Sequence, residues 1–380
     1  MFGFLPEPRS DLGSLDRCLY RFVPLLLLFL LNGCSSVGYF AQLAEGQWDL
    51  LRARVPVAQV MADPDRDAGL RERLRRSQQA RTFASELLHL PDNGSYRQYA
   101  DLGRPFVVWN VFATPEFSLA PQVHCFPVAG CVAYRGYYSQ GGARGEAAVR
   151  KLEGLDVYIG GVEAYSTLGW FDDPILSSMV GWGDERLATL IFHELAHQRV
   201  YVKNDTAFNE SFATFVEQQG SRQWRATRGL PPFDQHVARQ RDQFTRLVLD
   251  TRERLKDLYA QPLAPTDMRA AKAGEFERMR REYQQLRDTQ WNGDRRFDPW
   301  VYSPMNNAKL LPFGLYDQWV PAFAELFRQA EGDWQAFYSQ VERLGRLPIG
   351  QRKQALADLV ATGEAQLGKK ARCNCASVSK

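Results

Sequence analysis

The chain has 380 residues, 45% hydrophobic and 24% charged, with a formal net charge of +3. That length and apolar content suit one large folded domain or two small ones, each with a buried core. The near balance of 47 basic and 44 acidic residues excludes the strong positive field of a nucleic-acid-binding domain, and no nucleic-acid partner is expected.

The chain opens on a leader pattern. Phe22 to Leu31 is an apolar run holding one proline, with Arg9, Arg17 and Arg21 before it. The run is too short to span a bilayer as a helix and suits a signal-peptide core. Leu31-Asn32-Gly33-Cys34 follows as a lipobox, although Asn32 stands where a small residue is usual. Residues 1–33 are therefore expected to be removed and Cys34 to carry lipid. Ser35 and Ser36, with no Asp after the cysteine, point to the outer membrane of a Gram-negative envelope, with the protein facing the periplasm. The other reading of Cys34 is a buried cysteine beside a core helix. Asp11 and Asp16 make the stretch before the apolar run unusually long and acidic, which fits a true start downstream of Met1.

Residues 39–62 and 66–90 read as helices, with Leu70, Leu74, Leu87 and Leu88 as apolar positions and arginines on a solvated face. Phe106 to Phe112 is β-branched and aromatic, a strand. Gln122 to Tyr138 should add two strands around Cys125 and Cys131. These cysteines flank Pro127 and Gly130 and suit a small disulfide loop in an oxidising compartment. A second metal site is the alternative, but no further cysteine or acidic cluster lies nearby. Glu146 to Glu153 reads as a helix and Asp156 to Gly160 as another strand.

Asp184 to Phe192 contains no Pro or Gly and is apolar enough for a buried helix, with Asp184 as its cap. It runs into His193-Glu194-Leu195-Ala196-His197. Residues four apart share a helix face, so both imidazoles can reach one metal ion. Glu194 can then act on a water held there. Two surface histidines on an ordinary helix are the bland reading, yet polar groups on a buried helix need partners. The third ligand is expected from a second helix. Asn204, Asp205 and Thr206 make a turn and cap, and Phe212, Phe215 and Val216 give the next helix a packed face. Glu210 would return to the histidines. The alternative for Glu210 is a first-turn carboxylate favoured by the helix dipole. Two histidines, one glutamate and an open fourth position is the arrangement of a catalytic zinc, so one Zn2+ per chain is expected.

His193-Glu194-Leu195-Ala196-His197-Gln198 followed by Asn209-Glu210-x-Phe212-Ala213 resembles the gluzincin metallopeptidases, aminopeptidase N most closely and thermolysin in its Asn-Glu-Ala motif. The resemblance implies zinc held by His193, His197 and Glu210, with Glu194 as general base. Twelve residues, 198 to 209, separate His197 from Glu210. The connection is longer in those families, and Glu217 would match the longer spacing. Glu210 is preferred because it carries the Asn-Glu-x-Phe-Ala frame. Thr214 stands where thermolysin has an Asp after its ligand, and Glu217 is the candidate to support the histidines instead. Gly161-Val162-Glu163-Ala164 loosely resembles the segment whose Glu holds the substrate α-amine in aminopeptidase N, which would make Glu163 a substrate-binding residue; a plain loop carboxylate is the alternative. Gluzincins use a Tyr or His for the oxyanion, and Tyr302 and Tyr316 are candidates by position, each equally readable as a packed aromatic. Together with Cys125 to Gly136 and Ala164 to Phe171, the zinc motif also resembles a family of bacterial lipoproteins called predicted aminopeptidases, over residues 34 to 345.

Residues 234 to 290 are charged, with Leu and Phe at helical spacing, broken by Pro262 and Pro265; they read as a helical hairpin. Residues 291 to 316 are rich in Pro, Asn and aromatics, and 317 to 344 return to helix. The expected fold is α+β: a predominantly helical gluzincin-like zinc peptidase with a small mixed sheet and the hairpin inserted. The expected divisions are 34–230 for sheet and zinc helices, 231–290 for the hairpin, 291–365 for a C-terminal helical region and 366–380 for a polar tail with Cys373 and Cys375. The expected activity is zinc-dependent hydrolysis of peptides in the envelope, of aminopeptidase type. The rival is an inactive zinc-bearing lipoprotein serving as a scaffold or partner-binding module through the hairpin.

Overall fold

A computed structural model describes residues 37–126, 130–164, 166–167, 169–232, 234–313 and 318–377. The leader, Cys34 and Tyr316 lie outside them. Residues 37–52 form helix α1 in a unit of their own that ends at Arg52.

The second unit starts at Ala53. Its first elements are β1 (Arg54–Pro56), α2 (Val57–Ala62) and α3 (Ala68–Glu86). One continuous helix over 39–62 was the expectation, and Pro56 is the reason it fails. A proline inside a helix removes a donor and clashes with the preceding turn, and it pushes the residue before it into extended backbone. Val55 is thus drawn into a strand, and Pro56 becomes the cap of α2. The next elements are β2 (Gln98–Ala100), β3 (Val108–Pro115), β4 (His124–Phe126), β5 (Gly130–Val132), β6 (Arg135–Tyr137), α4 (Gln140–Leu152), β7 (Leu155–Val162), β8 (Ile175–Leu176) and α5 (Ser177–Val180). The Cys loop region therefore supplies three short strands, not two. Helix α4 starts earlier than expected because Ser139 caps it, accepting from Gly142 N at 3.1 Å. Gly141, Gly142 and Gly145 hide that turn from propensity.

In place of the single mixed sheet expected, the described residues form three small sheets. The order β1-β2-β8 is mixed, with β2 antiparallel to β1 and parallel to β8. The order β6-β3-β7 is wholly antiparallel, with β7 running the length of β3 from Val108↔Val162 to Pro115↔Leu155. The pair β4-β5 stands apart, in register at Cys125↔Cys131.

The remaining elements are helical: α6 (Asp184–Arg199), α7 (Thr206–Thr227), α8 (Gln235–Tyr259), α9 (Pro265–Gln290), α10 (Asp298–Val301), α11 (Asn307–Leu310), α12 (Val320–Gln329), α13 (Trp334–Gly345) and α14 (Ile349–Ser377). Helix α14 continues through the segment expected as a tail. The fold is α+β with helices dominant. Among the described residues no helix is long and apolar enough to cross a membrane.

Packing around α6 and α7 sets the site. Phe192 of α6 and Trp224 of α7 both meet Phe83 of α3. On the other face of α7, Phe212 meets Phe323 of α12 and Phe337 and Tyr338 of α13. Phe192, Phe212, Phe323, Phe337 and Tyr338 are fully buried. At about 1.5–3 kcal/mol per buried large apolar side chain, this wall makes α6 and α7 a rigid base. Gly220 allows the approach, since a Cβ there would sit 2.6 Å from Leu88. Helices α8 and α9 pack into a separate cluster around Phe244, Leu255, Met279, Tyr283 and Trp291. Lys272 ties α9 to the sheet through Asp156 at 2.6 Å and the Glu116 carbonyl at 2.7 Å.

Candidate metal centre

Helix α6 begins without a side-chain cap, at Gly183 with φ 85°, and places Asp184 and Glu185 in its first turn, where carboxylates favour the helix dipole. Asp184 is thus the first helical residue, one position on from the cap expected. No glycine or proline interrupts the helix before its last turn, and the four-residue spacing puts His193 and His197 on one face. Their Nε2 atoms lie 3.1 Å apart.

The connection from α6 to α7 is short, and Asn209 holds it. Its amide oxygen accepts from Val202 N and its amide nitrogen donates to Val202 O, both at 2.8 Å. Asp205 caps α7, accepting from Phe208 N at 3.2 Å. The Asn-Glu pair of the sequence therefore has two jobs. Asn209 folds the connection back, and the next residue, Glu210, faces the histidines. Its Oε2 is 3.4 Å from His193 Nε2 and 3.6 Å from His197 Nε2. Among the described residues, His193, His197 and Glu210 form a cluster whose donor atoms lie within 4.8 Å of one another.

Glu217 sits on the other side of the His193 ring, with Oε2 2.9 Å from Nδ1. That contact favours the proton on Nδ1 and leaves the Nε2 lone pair facing the cluster. The longer spacing to Glu217 thus brings it to the histidine's back. Thr214, one turn after Glu210, is not the residue that meets the ring. His197 is buried, and among the described residues its Nδ1 has no hydrogen-bond partner.

The electrostatics are those of a site that concentrates donors. Burial alone would push the His193 imidazole down, but hydrogen bonds to Glu210 and Glu217 and the charge of Glu194 hold it well above its ordinary value. Burial alone would raise Glu210; the two histidines override it and hold the carboxyl down to about 2. Without a metal the carboxylates thus favour the protonated ring, and a cation binding there would displace the proton from His193 Nε2. A tetrahedral zinc with bonds of about 2.0–2.2 Å needs ligand atoms about 3.3–3.6 Å apart. Of the three edges here, 3.4 and 3.6 Å fall in that range and the His193–His197 edge, 3.1 Å, is slightly shorter, so the residues could hold that ion after a small adjustment.

The other candidates fall elsewhere. Glu163 follows β7 and pairs with Arg186 at 3.2 Å, while its carbonyl accepts from Ser178; it is not part of the cluster. Tyr302 is half exposed and meets Tyr283 in the hairpin core. Cys125 and Cys131 are joined, S–S 2.10 Å, across β4 and β5. A cavity of about 420 Å³ lies between Phe117, Arg252 and Tyr259, apart from the cluster. Sequence reading missed Tyr96 and Asp173, both buried and both near enough to Glu194 to feel its charge. They arrive on loops distant in sequence, and no local pattern marks them.

Residues 38–356 match the family described as "Putative aminopeptidase". The chain belongs to that family. No curated protein and no solved structure matches it. That description suggests peptide hydrolysis, and the match runs from α1 to the first turns of α14, so it covers both helices of the cluster.

Proposed function

We propose that this protein is a zinc-dependent peptide hydrolase of gluzincin type, acting as an aminopeptidase. The observation that carries the reading is the triangle of His193 Nε2, His197 Nε2 and Glu210 Oε2, whose edges are close to those around a tetrahedral zinc. Zinc bound there would supply Lewis acidity toward a water and a peptide carbonyl. His193, His197 and Glu210 would hold it, and Glu217 would keep His193 in the ligating tautomer. Glu194, next to His193 on α6, would accept the proton of the attacking water and return it to the leaving amine. Glu163 is the proposed amine anchor, engaged in the resting protein by Arg186. The orphaned Nδ1 of His197 favours the rival scaffold reading, because ligating histidines ordinarily donate from that nitrogen.

Purified protein should carry one zinc per chain, lost in His197→Ala and in Glu210→Ala, and should hydrolyse peptides with a free amino terminus. Glu194→Gln should keep the metal and lose hydrolysis. A zinc-loaded parent inactive on a peptide library would refute the peptidase and leave the scaffold. Undiminished zinc in folded Glu210→Ala would move the third ligand. Cleavage of N-acetylated peptides as fast as free ones would remove Glu163 from the reading. Residues 1–33 as a signal and Cys34 as a lipid-bearing first residue complete the proposal and place the enzyme in the Gram-negative envelope, at the outer membrane. Mass spectrometry of the mature N-terminal peptide tests this, and an unmodified Cys34 behind an intact Met1 would refute it.

A further inference from the structure

The cleft away from the cluster lies between the segment that follows β3 and the last turns of α8. It encloses about 420 Å³, a volume in the range of small-molecule sites. One residue fixes both of its walls from behind. Asn307 is fully buried; its Nδ2 donates to the carbonyls of Glu116 and Ser118, both at 2.9 Å, and its Oδ1 accepts from the Tyr259 hydroxyl at 2.8 Å. Lys272 Nζ donates to the same Glu116 carbonyl at 2.7 Å. Thr114 Oγ1 lies 3.0 and 2.7 Å from the carbonyl oxygens of Ser118 and Ala120. The walls are thus preformed. Phe117 and Tyr259 make them apolar, with ring centroids 6.0 Å apart.

The charge along the cleft is unbalanced. Arg252 is half-buried, and Lys256, one turn on, shares its face of α8. Glu253 pairs with Lys256 at 3.0 Å, both side chains 69% exposed. Arg254, on the same helix, pairs with Glu275 and Glu282. Arg252 differs. Among the described residues no carboxylate pairs with it, and its Nη1 alone is engaged, on the Phe313 carbonyl. Burial pulls its ionisation below the ordinary value, and the charge of Glu253 opposes this in part. A desolvated cation without a counter-ion is costly. The Nε–Nη2 edge of its fork is left for a further acceptor, and that edge matches the two oxygens of a carboxylate. Of the charged residues lining the cleft two are basic and one is acidic, a balance that a single carboxylate neutralises.

We propose that this cleft is a second binding site, for an organic monocarboxylate with an aromatic or branched apolar body. The carboxylate sits on the Nε–Nη2 edge of Arg252 and the body lies against Phe117 and Tyr259. An inorganic anion would leave the apolar wall unused, and an uncharged ligand would leave Arg252 uncompensated. A free acid and the carboxyl terminus of a peptide share this chemistry. The site stands apart from the metal cluster and does not depend on how that cluster is read.

Calorimetry on the purified protein tests this, with N-acetylphenylalanine as the probe. The acid should bind with a dissociation constant below about 1 mM. Its amide and inorganic phosphate should each bind at least tenfold more weakly. Arg252→Gln should weaken the acid at least tenfold, and Glu210→Ala, which alters the metal cluster, should bind it as the parent does. Lys256→Glu changes an exposed residue and carries the test if Arg252→Gln does not fold; it should weaken the acid at least threefold. A short peptide ending in phenylalanine with a free carboxylate separates the two sources: binding equal to the acid assigns the site to chain termini, and weaker binding assigns it to free acids. No binding of the acid at about ten times that concentration would overturn the site. So would equal binding of the amide or of phosphate, or equal binding of the acid by folded Arg252→Gln or Lys256→Glu. Binding lost in Glu210→Ala and kept in Arg252→Gln would place the acid at the metal cluster and overturn the proposal as well.

Discussion

Arg352→Ala should destabilise the helix that carries Glu210 from a distance. Arg352 lies on α14, and its side chain and that of Asp205 are 5% and 6% exposed. The guanidinium meets Asp205 Oδ2 through Nε at 2.8 Å and Nη2 at 2.7 Å, while Nη1 donates to the carbonyls of Gly345 and Leu347. The other oxygen, Oδ1, caps α7 at Phe208 N. Removing the arginine strands a buried carboxylate at the start of α7, a defect worth about 3–5 kcal/mol. For a unit of this size the unfolding entropy is roughly 0.7 kcal/mol per degree, so the melting temperature should fall by about 4–7 °C. Differential scanning calorimetry on the metal-free protein reads this directly. Adding Asp205→Asn removes the stranded charge and keeps a good cap, so the double variant should be no less stable than Arg352→Ala alone. A melting point within about 1 °C of the parent, or strictly additive losses, would refute the buried pair.

Two further outcomes follow from the site. Glu217→Gln keeps an acceptor for His193 Nδ1 but loses its charge, so zinc affinity by chelator competition should fall about 10–100-fold; unchanged affinity would detach Glu217 from the metal. Asp173 is buried, and burial above all, with Glu194 nearby, raises its carboxyl to about 6, against hydrogen bonds from Thr167 and Ser166 that oppose the shift. Its folded value is above its unfolded one, so the stability it contributes is complete below about pH 4 and lost as pH rises through about 6. The loss is about 3 kcal/mol. Asp173→Asn should therefore match the parent near pH 4 and out-melt it at pH 7, and an equal difference at both pH values would refute this.

The helices were legible where periodicity and caps act locally. Residues 184–199 and 206–227 carry their apolar positions at helical spacing, and Asp205 announces the second start. The two halves of the hairpin were equally plain, because Pro265 opens α9 at a position where its missing donor costs nothing. The sheets were less so. Strands of two or three residues such as β8 and β1 carry too little alternation to read, and their partners are far along the chain. Tyr99 of β2 pairs with Ile175, a neighbour no local pattern predicts.

The choice between Glu210 and Glu217 shows the limit more sharply. They are two helical turns apart on α7, so periodicity sets both toward the same side. Loop length argued for Glu217 and the Asn-Glu frame for Glu210. The geometry gives both a place on one ring: Glu210 faces Nε2 and Glu217 faces Nδ1 of His193. What decides between them is the depth at which α7 crosses α6, and Asn209 sets that by holding the connection at Val202. The asparagine of the frame also holds the loop at its length, so the count of residues in it is a consequence of the frame and not an independent clue. Tyr96 had no such frame. Its burial depends on a buried arginine, a left-handed backbone and a loop arriving from Asp173, contacts between segments far apart in sequence.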